Sequence, residues 1–179
     1  MKKILFCLLF GTVLVACNNE KEDKDDKEPA TPATAATPAD LPYTASYSSD
    51  WSNNVSDADL KTVLMTYKDW ENGNLSGLGA GMADTVTVDM SSGDHLRLSN
   101  ADLMKMWGTY RDSLSSVKID MAAWSKMYSN NKKDGYIVTW YDETDTYKNG
   151  MVDSASYHDI NQVKDGKIVW YAQYKRPKK

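Results

Sequence analysis

The sequence is poor in cysteine and phenylalanine, and both are confined to its start. The two cysteines are Cys7 and Cys17 and the two phenylalanines are Phe6 and Phe10, so the chain beyond Cys17 has no thiol and no phenylalanine. Without thiols there can be no disulfide, no zinc–cysteine cluster and no cysteine nucleophile, and a packed core must hold the fold. Histidine is as scarce: His95 and His158 are the only two. They stand far apart, and Asp142, Glu143 and Asp145 read as carboxylates of a hairpin arm facing water, so no metal-ligand set emerges. The sequence also lacks a glycine-rich nucleotide loop and a nucleophile elbow, and no cofactor is expected. Its one long apolar run, Ile4 to Val15, is shorter than the ~20 residues of a membrane span. The formal charge of -4 divides into +2 before Cys17, -4 over residues 18–42 and -2 beyond. That balance offers no basic surface to a nucleic acid, and the basic end (Lys175, Arg176, Lys178, Lys179) reads as a solubilising tail.

What is present begins with a leader. Lys2 and Lys3 form a basic head, and the apolar run that follows ends in Leu14-Val15-Ala16-Cys17, the anatomy of an export signal. Those last four residues resemble a lipobox, the processing site of bacterial lipoproteins. The resemblance implies removal of residues 1–16 and lipidation of Cys17 by a diacylglyceryl group and an amide-linked acyl chain such as palmitate. Several acyl chains bind a membrane far more firmly than one, so the expected address is the bacterial cell envelope, on the outer membrane. Residues 17–42 then read as the lipidated cysteine and a disordered tether, with acids and lysines first and a stiffer Pro-Ala-Thr stretch after them. The acids directly after the cysteine (Glu20, Glu22, Asp23, Asp25, Asp26, Glu28) read as a solvated spacer; they also resemble the signals that carry some lipoproteins to the cell surface.

Residues 43–179 have the length of one domain. Ser56 and Asp59 open a helical stripe of Leu60, Val63, Leu64 and Tyr67 that Gly73 stops, and Ser99 and Asp102 open a second of Leu103, Met106, Trp107, Tyr110 and Leu114. Between them lie a short glycine-weakened helix in 75–82 and a strand over 85–89. Beyond Leu114 the period changes to two. Turns at Asp134-Gly135, Asn149-Gly150 and Asp165-Gly166 cut the remainder into four antiparallel strands. The strand with Tyr136 to Tyr141 and the one with Ile168 to Tyr174 are apolar on both faces. Such a sheet needs a cover on each side: the helices supply one, and a second copy of the domain, in a homodimer through the sheet face, is the economical second. The expected class is α+β, a curved antiparallel sheet wrapped around N-terminal helices.

This order resembles the nuclear-transport-factor-2-like superfamily, which includes SnoaL-like polyketide cyclases and ketosteroid isomerases. The residues that carry the resemblance are Trp70-Glu71-Asn72-Gly73-Asn74 after the first helix, Met82-Ala83-Asp84-Thr85-Val86-Thr87-Val88 opening the first strand, and Asp165-Gly166-Lys167-Ile168-Val169 opening the last; the match spans about 56–176. It implies a cone between sheet and helices that holds a small apolar or aromatic molecule, with acid–base groups inside it in the enzymes. Fold alone does not confer function.

By that resemblance Asp89 falls at or next to a general-base position, yet alternation with Val86 and Val88 turns it outward unless a bulge intervenes. Ser156 stands where the isomerases have a donor acid, and Tyr67 matches their donor tyrosine only with a one-residue shift, so the constellation is incomplete. His158 shares a strand face with Ile160 and Ser156 and is read as interior, a base, a ligand partner or simply a satisfied histidine. Asp84 would orient the pocket or cap a backbone group. Tyr67, Trp70, Trp107, Trp124 and Trp140, with Trp170 and Tyr174, would line a pocket, or form core and dimer interface. Two functions follow: a non-catalytic module that binds a small molecule or a partner, or an isomerase, cyclase or hydrolase using His158 with Asp84 or Asp89. The tryptophans themselves raise the question of whether the cone is open.

Overall fold

The computed structural model describes residues 40–178. The expected leader, the lipidation site Cys17 and the tether up to residue 39 lie outside them. From there the elements run β1 (Trp51–Ser52), α1 (Asp57–Asn72), α2 (Leu75–Ala80), β2 (Met82–Asp89), β3 (His95–Ser99), α3 (Asn100–Arg111), β4 (Leu114–Ser129), β5 (Asp134–Tyr147), β6 (Val152–Lys164) and β7 (Lys167–Pro177). Among the described residues no helix is long and apolar enough to cross a membrane.

Local chemistry sets the helix ends. The Ser56 hydroxyl accepts the Asp59 backbone N–H at 2.9 Å, and the Ser99 hydroxyl accepts that of Asp102 at 3.1 Å, each capping a donor the first turn leaves free. α1 ends at Gly73, whose φ of 68° is the left-handed geometry that closes a helix without a steric penalty. α3 stops at Arg111, so Leu114, expected as the last residue of its stripe, opens β4 instead.

The strands form one seven-stranded sheet in the order β1-β4-β5-β6-β7-β2-β3. Every neighbouring pair is antiparallel except β2 and β7, which run parallel. No hairpin joins those two strands, so no turn signal in the sequence announces their pairing. Asp165 and Gly166 both have positive φ, 50° and 75°, as a two-residue hairpin turn requires. The turn expected at Asp134-Gly135 lies earlier: the chain reverses over 130–133, with Lys133 at φ 62°, and Asp134 pairs with Ser129 as the first residue of β5. There the Ser129 hydroxyl accepts the Lys132 N–H at 3.2 Å, which holds the four-residue reversal.

Alternation divides the sheet into two faces. Ile137, Thr139 and Tyr141 of β5 and Asp159, Asn161 and Val163 of β6 face the helices and are buried, as are Ile168 of β7 and Val86 and Val88 of β2. Against them pack Val63 and Tyr67 of α1, Leu78 of α2 and Leu103 of α3, each fully buried aliphatic contributing about 1.5–3 kcal/mol. The opposite face carries Tyr136, Trp140, His158, Trp170 and Tyr174. One end of it is covered by the chain's own Tyr47 and Trp51, which pack on Tyr136 with ring centroids 6.4 and 5.9 Å away.

Candidate functional site

A cavity of about 360 Å³ opens between the helices and the concave sheet face, so the tryptophans do not close the cone. α1 contributes Tyr67 and Trp70, α3 contributes Met106, Trp107 and Tyr110, β2 supplies Met82 and is followed by Met90, and the strands add Tyr141 and Glu143 (β5), Tyr157 and Asn161 (β6) and Tyr171, Gln173 and Lys175 (β7). The aromatic rings brace one another. Trp70 and Tyr110 stack at 6.1 Å and 4°, Tyr141 and Tyr157 at 5.2 Å and 12°, and Tyr67 meets Tyr141 edge-on at 5.0 Å. Such pairs add roughly 0.5–1.5 kcal/mol each beyond their burial, which favours a preformed wall.

Behind this wall lies a layer of acid. Asp159 is fully buried, and its Oδ2 accepts the hydroxyls of Tyr141 at 2.8 Å, Tyr67 at 3.0 Å and Tyr171 at 3.1 Å. Its other oxygen has no partner among the described residues. Burial pushes the Asp159 carboxyl up to about 7, against the lowering effect of the three tyrosine hydroxyls. Asp145 is 4% exposed, and its Oδ2 accepts the Tyr110 hydroxyl at 2.8 Å while its Oδ1 is likewise unpartnered. Burial raises its pKa too, opposed by that hydroxyl. Glu143 belongs to the wall itself. It is 8% exposed and is pushed up to about 8, first by burial and then by repulsion from Asp145, with the Trp70 indole opposing.

The hydrogen-bond donors of the wall are largely committed within it. Tyr67, Tyr141, Tyr171 and Tyr110 point their single protons at the buried acids. Gln173 Nε2 donates to Tyr171 Oη at 2.6 Å, and Asn161 Nδ2 to Tyr67 Oη at 3.2 Å and the Ile137 carbonyl at 3.3 Å. Lys175 Nζ at the rim donates to Asp153 at 2.8 Å and lies 5.7 Å from the Tyr157 ring centroid. What is left toward the cavity is lone pairs, ring faces and the Glu143 carboxyl, with the Trp107 indole and the Tyr157 hydroxyl as remaining donors.

The structure brings Tyr67, Trp70 and Trp107 into the cavity and places the other expected site residues elsewhere. His158, read as interior, lies on the opposite sheet face, stacked on Trp140 at 5.0 Å and 14° and tilted against Tyr174 at 5.8 Å. The face it shares with Ile160 and Ser156 is the outer one, because the buried members of β6 are Asp159 and Asn161. Ser156 donates there to Asp142 at 2.8 Å. Trp140 is 39% and Trp124 51% exposed, and neither lines the cavity. Asp84 is exposed. Asp89 turns away from buried Val86 and Val88, as alternation requires; it bonds His95 and accepts the Trp170 indole N–H at 2.7 Å, and these partners, His95 foremost, hold its carboxyl below the usual range. Glu143 and Asp145, expected as hairpin carboxylates facing water, are buried instead. The signal that places them was present: Ile137, Thr139, Tyr141, Glu143 and Asp145 are one alternating face of a strand that runs to Tyr147. Among the described residues no cluster of metal-ligating side chains occurs.

No family model matches the sequence, and no curated protein does. Solved structures do resemble the fold. An LEH-like epoxide hydrolase of M. tuberculosis superposes with a TM-score of 0.57 at 9% identity, over 68% of this chain and 84% of that one. An NTF2-like protein of unknown function from Burkholderia pseudomallei gives 0.54 at 14% identity, over 68% and 92%. A putative polyketide cyclase from Xanthomonas campestris gives 0.52 at 15% identity, over 70% and 93%. At such identities the likeness is one of fold: residues 40–178 have the nuclear-transport-factor-2-like, SnoaL-like architecture.

Proposed function

We propose that this protein is an envelope lipoprotein whose domain binds a small apolar or aromatic molecule in the cone. One observation carries the binding reading: a cavity of about 360 Å³, walled by seven tyrosine and tryptophan rings, is open rather than packed. Apolar, concave and mostly preformed, with a few polar groups at fixed places, is the general character of small-molecule sites. The anchoring reading rests on the leader and Cys17, and display beyond the outer membrane on the acids that follow it. Protein purified from its native membrane without unfolding should release a small molecule detectable by mass spectrometry, in stoichiometric amount from the wild type and much less from a Trp107→Lys variant. Equal, substoichiometric traces from both would remove the reading. For the anchor, Cys17→Ala should move the protein from the membrane to the soluble fraction and abolish palmitate labelling.

A second reading, acid–base catalysis on a small apolar substrate, is favoured by Glu143. A carboxyl on the cavity wall that titrates near 8 carries a proton at neutral pH and can also give it up, which suits a general acid or base. The solved structures of this fold described as an epoxide hydrolase and a putative polyketide cyclase are compatible with it. Turnover of the co-purified molecule that stops in Glu143→Gln even when that molecule is at saturating concentration would favour catalysis over binding alone.

A further inference from the structure

The cavity has a one-sided chemistry. Its wall is built of aromatic faces, which carry negative quadrupole charge, and of methionines, whose sulfur is soft and polarizable. Behind the rings stand Asp145 and Asp159, and on the wall itself Glu143, none of them in an ion pair among the described residues: the one cation of the lining, Lys175 at the rim, is paired with Asp153, and the Arg111 guanidinium is directed to the carbonyls of Trp70 and Glu71 at 3.2 Å each. A buried carboxyl without a cationic partner is costly to retain. Here two are more than nine-tenths buried and each leaves one oxygen without a hydrogen bond. The tyrosine protons point at these acids, so the hydroxyls offer the cavity lone pairs. A positive charge finds ring faces, lone pairs and, in Glu143, a carboxyl that gives up its proton to become the counter-charge when a cation sits beside it, whereas a neutral molecule gains no such pairing. At the rim one ring already holds such a charge, since the Lys175 ammonium lies 5.7 Å from the centroid of Tyr157.

Resting on the binding reading above, we infer that the ligand of this cavity is an organic cation: an amine or quaternary ammonium group on an apolar or aromatic body, its charge set between Glu143 and the ring faces. Aromatic cages recognise such groups because the cation is attracted to several π faces at once, most strongly where water is excluded. The apolar body would lie along Met82, Met106 and Trp107, away from the carboxyl.

The test uses two probes that differ only in charge. Phenyltrimethylammonium and its neutral carbon isostere, tert-butylbenzene, are titrated into the full-length protein, and binding is read from the change in tryptophan emission, Trp70 and Trp107 being the tryptophans of the cavity wall. The cation should bind at least tenfold more tightly than the isostere. In Glu143→Gln the cation should lose at least tenfold while the isostere is unaffected, with circular dichroism confirming that the variant is folded; Asp145→Asn serves as a second variant should the first fail to fold. Equal affinity for the two probes overturns the inference, as does a cation affinity untouched by Glu143→Gln. If the co-purified molecule proves neutral and the isostere binds, the cationic ligand is excluded and the binding reading stands. If neither probe binds and nothing co-purifies, both fall.

Discussion

Glu143 pairs with Ile119 of β4 and Ala155 of β6, so both neighbouring strands fix its direction toward the cavity, where it is 8% exposed. Its carboxyl is held near 8 against an ordinary 4.5, which makes stability depend on pH in a definite direction. Between those values the folded state binds a proton that the unfolded chain releases, so the contribution of Glu143 is complete below about 4.5 and is lost as pH rises through about 8. The loss is on the order of a few kcal/mol. Asp159, raised to about 7 from 3.8, adds a decline of the same sign. Urea midpoints of the wild type should therefore fall steadily from pH 5 to 9. Glu143→Gln keeps the shape and removes the charge, so its curve should be flatter and cross above the wild type at the alkaline end. Parallel curves for the two would mean that Glu143 is not protonated in the folded protein.

At the scale of elements, α1 delivers Tyr67 and Trp70 to the cavity, so its ends matter to the site. Ser56→Ala should cost about 1 kcal/mol, the usual worth of an N-cap, measured as a lower urea midpoint. Gly73→Ala should cost a similar amount, because a side chain at its φ of 68° is strained and the new Cβ would stand 3.4 Å from Arg111 Nη2. That guanidinium ties α3 to the end of α1, so the glycine variant should also shift Trp70 emission, which the serine variant should not. These same ends were legible in the sequence, because capping chemistry is local: a serine three residues before an acid and a glycine after an apolar stripe state where a helix starts and stops. The hairpin at Asp165-Gly166 was legible for the same reason. The parallel pairing of β2 with β7 was not, since it joins distant segments through no turn. Nor was the choice of inward face on β6. Tyr157, Asp159 and Asn161 alternate with Ser156, His158 and Ile160, both sets are mixed in polarity, and only contact with Tyr67 and with the neighbouring strands decides between them. His158 therefore faces outward and Asp159 inward without a local signal for either, whereas the inward direction of Glu143 and Asp145 follows from the length of β5.

For the whole molecule the open question of packing is the outer sheet face. Tyr47 and Trp51 cover one end of it, and Trp140, His158 and Tyr174 continue beyond that cover as a stacked row, with Trp140 39% and Tyr174 57% exposed. Aromatic rings stacked on one another but open to water on their outer side have the composition of an interface core, and the β-strands beneath them are rigid. We propose that a second copy of the domain occupies this surface, related by a two-fold axis that sets the row of one protomer against that of its partner. Sedimentation at micromolar concentration should then give a dimer for the wild type and a monomer for Trp140→Lys with Tyr174→Lys, since each lysine would place an unpaired charge in the contact. Because these side chains point away from the cone, the monomeric variant should bind the cavity ligand as the wild type does. A monomeric wild type would leave the row to some other cover; a dimer that survives both lysines would place the contact elsewhere on the molecule.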